Sequence, residues 1–154
     1  MEYAVIHAPF GQLALTANQG TLTGIEFLLA PQMLKKPVSA VLKETEAQLA
    51  AYFCNPQHPF DVPMQLIGTQ FQFKVWQALC EIPAGAPLTY GQLAKNLGTA
   101  PRAVGGACGS NPIPIIVPCH RVVSASGIGG FMKTRYLGPL GIKSWLLQHE
   151  QRQD

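Results

Sequence analysis

A thiol and an imidazole adjoin at Cys119 and His120, inside the run "IIVPCHRVV". The thiolate is the nucleophilic form of cysteine, and a nearby imidazole can lower a thiol pKa enough to give thiolate near neutral pH. Consecutive side chains of an extended chain point to opposite faces, so direct contact between the two requires a turn, and a bridging water serves equally well. The imidazole then needs an orienting acceptor, and Glu150, near the end of the chain, is a carboxylate able to hold it in one tautomer. The competing reading makes Cys119 a small core residue and Glu150 a surface residue near a helix end. For Cys54, Cys80 and Cys108 the core reading is adopted. The four cysteines form no CxxC pair and no dense secreted pattern, so neither a disulfide framework nor a metal site is expected.

The elements around this pair must hold it still. Pro112, Pro114 and Pro118 restrict themselves and their predecessors to extended conformations, which predicts Cys119 at the end of a stiff apolar strand. The stretch "SASGIGGFMKTRYLGPLG" reads as a glycine-rich loop. A final helix is expected from near Lys143, burying Trp145, Leu146 and His149, with Glu150 near its end. Upstream, Thr69 caps a helix whose Phe71, Val75, Trp76 and Leu79 face inward. Thr89 and Gln92 form a capping box, Gly98 is a stop, and Pro101 suits the first turn of a further helix. Two short helices joined by a tight glycine-containing connection make a helix-turn-helix shape, though an ordinary helical hairpin has the same pattern. Arg102 followed by Ala103, Gly105, Gly106 and Ala107 favours the first reading. Those small residues let a helix approach a sugar-phosphate backbone closely, at a cost of roughly 1 kcal/mol per glycine.

Before residue 64 the pattern differs. "YAVIHA", "GQLALTA" and "TLTGIEF" are short β-rich runs separated by turn residues, and Ser39 caps a helix to Cys54 with Val41, Leu42, Thr45, Leu49, Tyr52 and Phe53 on one side. The Pro-rich stretch "NPQHPFDVPMQ" separates this part from the rest, giving expected domains of 1–63 and 64–154. The fold class is therefore α+β: a small antiparallel sheet with a helix, then a mostly helical domain. The first 64 residues carry three basic against five acidic side chains, net −2, and residues 65–154 carry eight against three, net +5. That asymmetry points the second part toward a polyanion. With 154 residues and 47% apolar side chains a true core is expected. No apolar stretch approaches the ~18 residues of a membrane span, and "MEYAVIHAPF" has no basic region followed by a long hydrophobic segment. A cytoplasmic protein without membrane contact is expected.

The segment "RAVGGACGSNPIPIIVPCHRV", with "TQFQFKVWQALCEIPAGAPLTYGQLA" before it and "GIKSWLLQHE" after it, strongly resembles the O6-alkylguanine-DNA alkyltransferases, the methylated-DNA–protein-cysteine methyltransferase family. The resemblance covers most of residues 66–150 and is weaker before them. It implies a ribonuclease-H-like N-terminal domain and a DNA-repair protein that flips O6-alkylguanine from duplex DNA. The alkyl group then passes irreversibly, once per chain, to its own cysteine. O4-alkylthymine is a lesser candidate lesion. Neither metal nor organic cofactor is implied, and a monomer associated with the nucleoid when bound to DNA is expected.

Carried over by position, Cys119 is the acceptor, His120 and Glu150 its water-linked relay, and Asn111 the residue ordering the turn around it. Tyr90 assists base rotation and supplies a proton to the departing guanine. Arg102 is the finger filling the flipped nucleotide's place, and Thr89, Ala103, Gly105 and Arg121 join Tyr90 among the DNA contacts. Val122, Tyr136, Leu137 and Cys108 line the pocket, Val122 reading the guanine amino group through its carbonyl. Relative to the family, the connection from Leu97 to Arg102 is about two residues short and the span from Cys119 to Tyr136 about four residues long, by the same resemblance. Leu137 and Pro139 alter the lid of the alkyl pocket. Two other classes fit parts of the pattern: a DNA-binding protein that recognises alkylguanine without accepting the group, which would lack Cys119, and a cysteine-dependent acyl transferase or hydrolase, which would leave Arg102 and the charge asymmetry unexplained.

Overall fold

The structure is a computed structural model that describes residues 1–130 and 137–152, with the backbone alone of 137–140. Its Cα trace divides into two compact units, Met1–Ile67 and Gly68–Gln153. The division falls four residues beyond the boundary expected after residue 63, because the backbone there still pairs with the sheet: Leu22 N donates to Pro63 O (2.8 Å) and Gln65 N to Leu22 O (2.9 Å).

In the first unit β1 (Glu2–Ala8), β2 (Gly11–Asn18) and β3 (Thr21–Leu28) form an antiparallel meander in chain order. The β2–β3 turn places Gln19 (φ 51°) and Gly20 (φ 80°) both in the left-handed region, as a two-residue hairpin turn matched to strand twist demands. α1 (Ala40–Cys54) begins at Ser39, whose side chain accepts from Leu42 N, and buries Val41, Leu42, Thr45, Leu49 and Tyr52.

In the second unit α2 (Gln70–Cys80) and α3 (Tyr90–Leu97) each open with a complete capping box, Thr69 with Gln72 and Thr89 with Gln92. Each box satisfies two backbone donors that the first turn leaves orphaned. α3 stops at Gly98 (φ 68°, left-handed), and α4 (Pro101–Gly109) restarts three residues later with Pro101 in its first turn. α2, α3 and α4 pack together. Trp76 is buried and donates from Nε1 to Ala107 O (2.9 Å), tying α2 to α4. Two features lie outside the expectations. β4 (Leu88–Thr89) and β5 (Val122–Val123) pair in parallel, and α5 spans Leu137–Glu150, beginning six residues before Lys143. Pro139 does not stop α5 because it falls in the first turn, where its missing N–H is not needed. Among the described residues no helix is long and apolar enough to cross a membrane.

Candidate functional site

The segment before Cys119 is a chain of turns rather than the expected stiff strand. Asn111 organises it: its Nδ2 donates to Val117 O (2.7 Å) and its Oδ1 accepts from Ile113 N (3.0 Å). Backbone bonds from Val117 N to Ile113 O and from Cys119 N to Val117 O close the turns. Ile115 sits at φ 74° while 1% exposed, a conformation that costs a β-branched residue on the order of 1–3 kcal/mol and persists only when its surroundings over-determine it. The prolines stiffen this segment without extending it, since the asparagine side chain takes over the hydrogen bonds a strand partner would supply.

The turns deliver Cys119 to the first position of a 3-10 turn, Cys119–Arg121, in which Cys119 and His120 are both buried. His120 Nε2 lies 2.7 Å from Glu150 Oε2 at the end of α5. Arg121 grips the same carboxylate with two prongs, Nε to Oε1 (2.9 Å) and Nη2 to Oε2 (3.0 Å), and donates from Nη1 to Ile82 O (2.7 Å). Arg121, expected among the DNA contacts, directs these donors into the protein as a clamp: it fixes Glu150, which fixes His120. Gly85 (φ 86°) lets the chain after α2 pass close to α5, since a Cβ there would meet Glu150 O at 3.0 Å.

Electrostatics assign the protons. Burial alone would raise the Glu150 pKa, but the hydrogen bonds and charges of His120 and Arg121 outweigh it and carry the carboxyl down to about 2. Glu150 is therefore an anion, and His120 Nε2 donates to it. Burial holds the His120 pKa below its ordinary value against the pull of Glu150, so the ring is neutral and Nδ1 carries a lone pair. Nδ1 is buried with no hydrogen-bond partner among the described residues. The expected thiolate is also corrected. Burial pushes the Cys119 thiol up to about 11, while the Asn111 side chain and the Lys143 charge pull it back. At neutral pH the free protein holds a thiol beside an imidazole able to take its proton.

Tyr90, first residue of α3, donates from its hydroxyl to Gly130 O (3.3 Å). Gly129 (φ 79°) allows that approach, because a Cβ would stand 3.0 Å from the Tyr90 ring and 3.2 Å from Ser124 N. Val122 O accepts from Lys143 Nζ at 2.7 Å, which leaves its second lone pair for another donor. Cys108 is buried near enough to Cys119 for their charges to interact, and burial lifts its thiol to about 12. Thr89 spends its hydroxyl on the α3 cap. Arg102 is exposed in the first turn of α4, with Ala103 and Gly105 half-buried on the same helix. Tyr136 lies outside the described residues, and of Leu137 the structure gives its place at the start of α5. Lys143 was not read from the sequence as part of the site; its neighbours Ile142 and Trp145 suggest only a helix, and a lysine at that spacing reads as solvated. Among the described residues no group of three or more His, Cys, Asp or Glu is placed to hold a metal.

A family model described as "6-O-methylguanine DNA methyltransferase, DNA binding domain" matches residues 70–152. A methylated-DNA–protein-cysteine methyltransferase of Methanosarcina acetivorans is 42% identical over 157 residues, covering 97% of this chain and 98% of that one. The crystal structure of Mycobacterium tuberculosis O6-methylguanine methyltransferase superposes with a TM-score of 0.82 at 39% identity, over 97% of this chain and 92% of that one. A crystal structure of the M. tuberculosis protein in complex with DNA gives 0.80 at the same identity and coverage.

Proposed function

The chain belongs to the methylated-DNA–protein-cysteine methyltransferase family, and on that basis we propose that Cys119 takes the alkyl group and that its neighbours divide the remaining work. The activity is a DNA-repair transfer from alkylated DNA to a cysteine of the protein itself. The lesion we assign is O6-alkylguanine in duplex DNA, acted on by a single chain.

The observation that supports the assignment is the buried pair of Glu150 with His120, the residue directly after Cys119 in the chain, in which the ring is locked by one nitrogen and has its other buried and without a partner among the described residues. As the S–C bond forms and the C–O6 bond breaks, the thiol proton passes through a water to Nδ1 of His120, and Glu150 stabilises the imidazolium. The guanine leaves as an anion unless protonated, and the Tyr90 hydroxyl is the acid we assign to it. O6 is inaccessible inside the stack, so the base must rotate out. That costs a few kcal/mol, which a side chain filling the gap offsets. Exposed Arg102, on the second of two helices in helix-turn-helix order, is the residue we give that role, with Ala103 and Gly105 permitting close approach to the backbone. The second lone pair of Val122 O is available to the guanine amino group. A thioether once formed has no easy hydrolytic route, so each chain acts once.

Incubating the protein with an excess of O6-methylguanine duplex tests this by intact mass. We expect a plateau at one methyl per chain; repaired lesions in excess of the chains present would contradict a single-use acceptor.

A further inference from the structure

Lys143 is fully buried, and the alkyl-transfer assignment above gives it no task. Its Nζ donates to Val122 O (2.7 Å) and Gly130 O (2.8 Å), stands 3.5 Å from the Tyr90 hydroxyl and lies 5.6 Å from the Tyr90 ring centre. All three ammonium donors are therefore directed at groups of the site. Burying a cation is costly unless it is paired or fully hydrogen-bonded, and an unbranched apolar side chain would fill much of the same space. The carbonyls it holds are informative: one belongs to the strand after the nucleophile, and the other also accepts from Tyr90.

We propose that Lys143 is a positioning residue for alkyl transfer, its ammonium aligning the Val122 carbonyl and the Tyr90 phenol and keeping positive charge between the phenol and the sulfur. The proposal rests on the reaction assigned above. In that reaction the thiol proton goes to His120 and the phenol proton to the departing guanine, leaving a phenolate that faces Lys143. The ammonium favours that phenolate over the phenol, which makes Tyr90 the stronger acid at the moment it is needed.

The groups facing Lys143 are Tyr90 from α3, Cys108 from α4 and Cys119 from the 3-10 turn, and His120 also feels its charge. Burial draws the Lys143 pKa down to about 8. The thiols, held near 11 and 12, and His120, held down, keep one charge state across the window around that value. Because the folded value lies below the ordinary 10.5, the folded chain gives up this proton first, and the contribution of Lys143 to stability rises above pH 8. Activity and stability thus move in opposite directions there, which separates positioning from unfolding.

The test is the single-turnover rate of methyl transfer from O6-methylguanine duplex between about pH 6.5 and 9.5, with thermal unfolding in parallel, for wild type, Lys143→Met and Lys143→Arg. We expect the wild-type rate to fall through pH 8 with no matching fall in unfolding temperature as that pH is crossed. Lys143→Met should be about tenfold or more slower near neutrality, without the alkaline fall, and Lys143→Arg, which stays charged, should move that fall to higher pH. A Lys143→Met protein with the wild-type rate, or with the same alkaline fall, would overturn the proposal. If Lys143→Met does not fold, the wild-type profile decides: a rate that does not decline through pH 8 overturns it equally. A wild type that gains no methyl at any pH overturns the reaction itself, and the role of Lys143 with it.

Discussion

The α3–α4 pair and the buried surroundings of Cys119 use positive charge in opposite ways. On the helix pair Arg102 is exposed, at the start of a helix whose small residues leave room beside it. Around Cys119, Arg121 and Lys143 direct their donors inward, to Glu150 and to backbone carbonyls. Two of the eight basic side chains counted in residues 65–154 therefore direct hydrogen bonds into the protein, although a count of charge assigns both to an electrostatic surface. A charge census overestimates such a surface whenever a site builds its own internal ion pairs.

That contrast predicts different failures in the two regions, the largest on the buried side. Glu150→Gln removes the carboxylate that His120 and Arg121 share and strands a mostly buried guanidinium. We expect a loss of about 3–5 kcal/mol in denaturant unfolding, with methyl transfer reduced at least a hundredfold on the order of a lost general base. An unchanged midpoint would mean that Arg121 is satisfied elsewhere. The same carboxyl sets the acid limit. Its folded value of about 2 lies below the ordinary 4.5, so its stabilisation is complete above 4.5 and lost as pH falls toward 2. In Glu150→Gln that part of the acid slope should disappear.

On the exposed side, Arg102→Ala should leave stability within about 0.5 kcal/mol yet slow transfer from duplex by roughly tenfold to a hundredfold while sparing transfer from the free base. The salt slope of DNA binding should become shallower, by up to about one unit if the lost contact is to phosphate. Equal losses on duplex and free base would remove its assignment as a finger. The smallest expected change is Gly98→Ala, which forces a left-handed φ of 68° on a residue with a Cβ although nothing lies within 4 Å of it. About 1 kcal/mol of stability should be lost by thermal unfolding, with chemistry at Cys119 unaffected.

The same contrast explains what was legible before the structure. The caps at Ser39, Thr69 and Thr89, the stop at Gly98 and the restart at Pro101 are all where local sequence puts them, because each depends on residues within a few positions. The pairing of His120 with Glu150 was also legible, since a base requires an orienting acceptor and few carboxylates exist in that part of the chain. The Arg121 clamp leaves no local signal, because its two prongs close on a carboxylate 29 residues away and a surface arginine has the same neighbours in sequence. Lys143 was missed for the same reason, its carbonyl partner Val122 lying 21 residues back. β4 and β5, at two residues each, are too short to leave a period-two signal. The turn-rich approach to Cys119 was mistaken for a strand because prolines report restriction, while Asn111, which bends the segment, acts through its side chain.

Burial of Cys119 sets it apart from the exposed thiols in a way that one comparison of reagents reads out. Cys54 and Cys80 are exposed and Cys119 is buried, so a small diffusing alkylating reagent and a damaged duplex should choose opposite cysteines. Peptide mapping after each treatment decides the matter. The reagent should mark Cys54 and Cys80 first, while O6-methylguanine duplex should place its methyl on Cys119 alone; methyl from the duplex on Cys54 or Cys80, or on no cysteine, would contradict Cys119 as the acceptor.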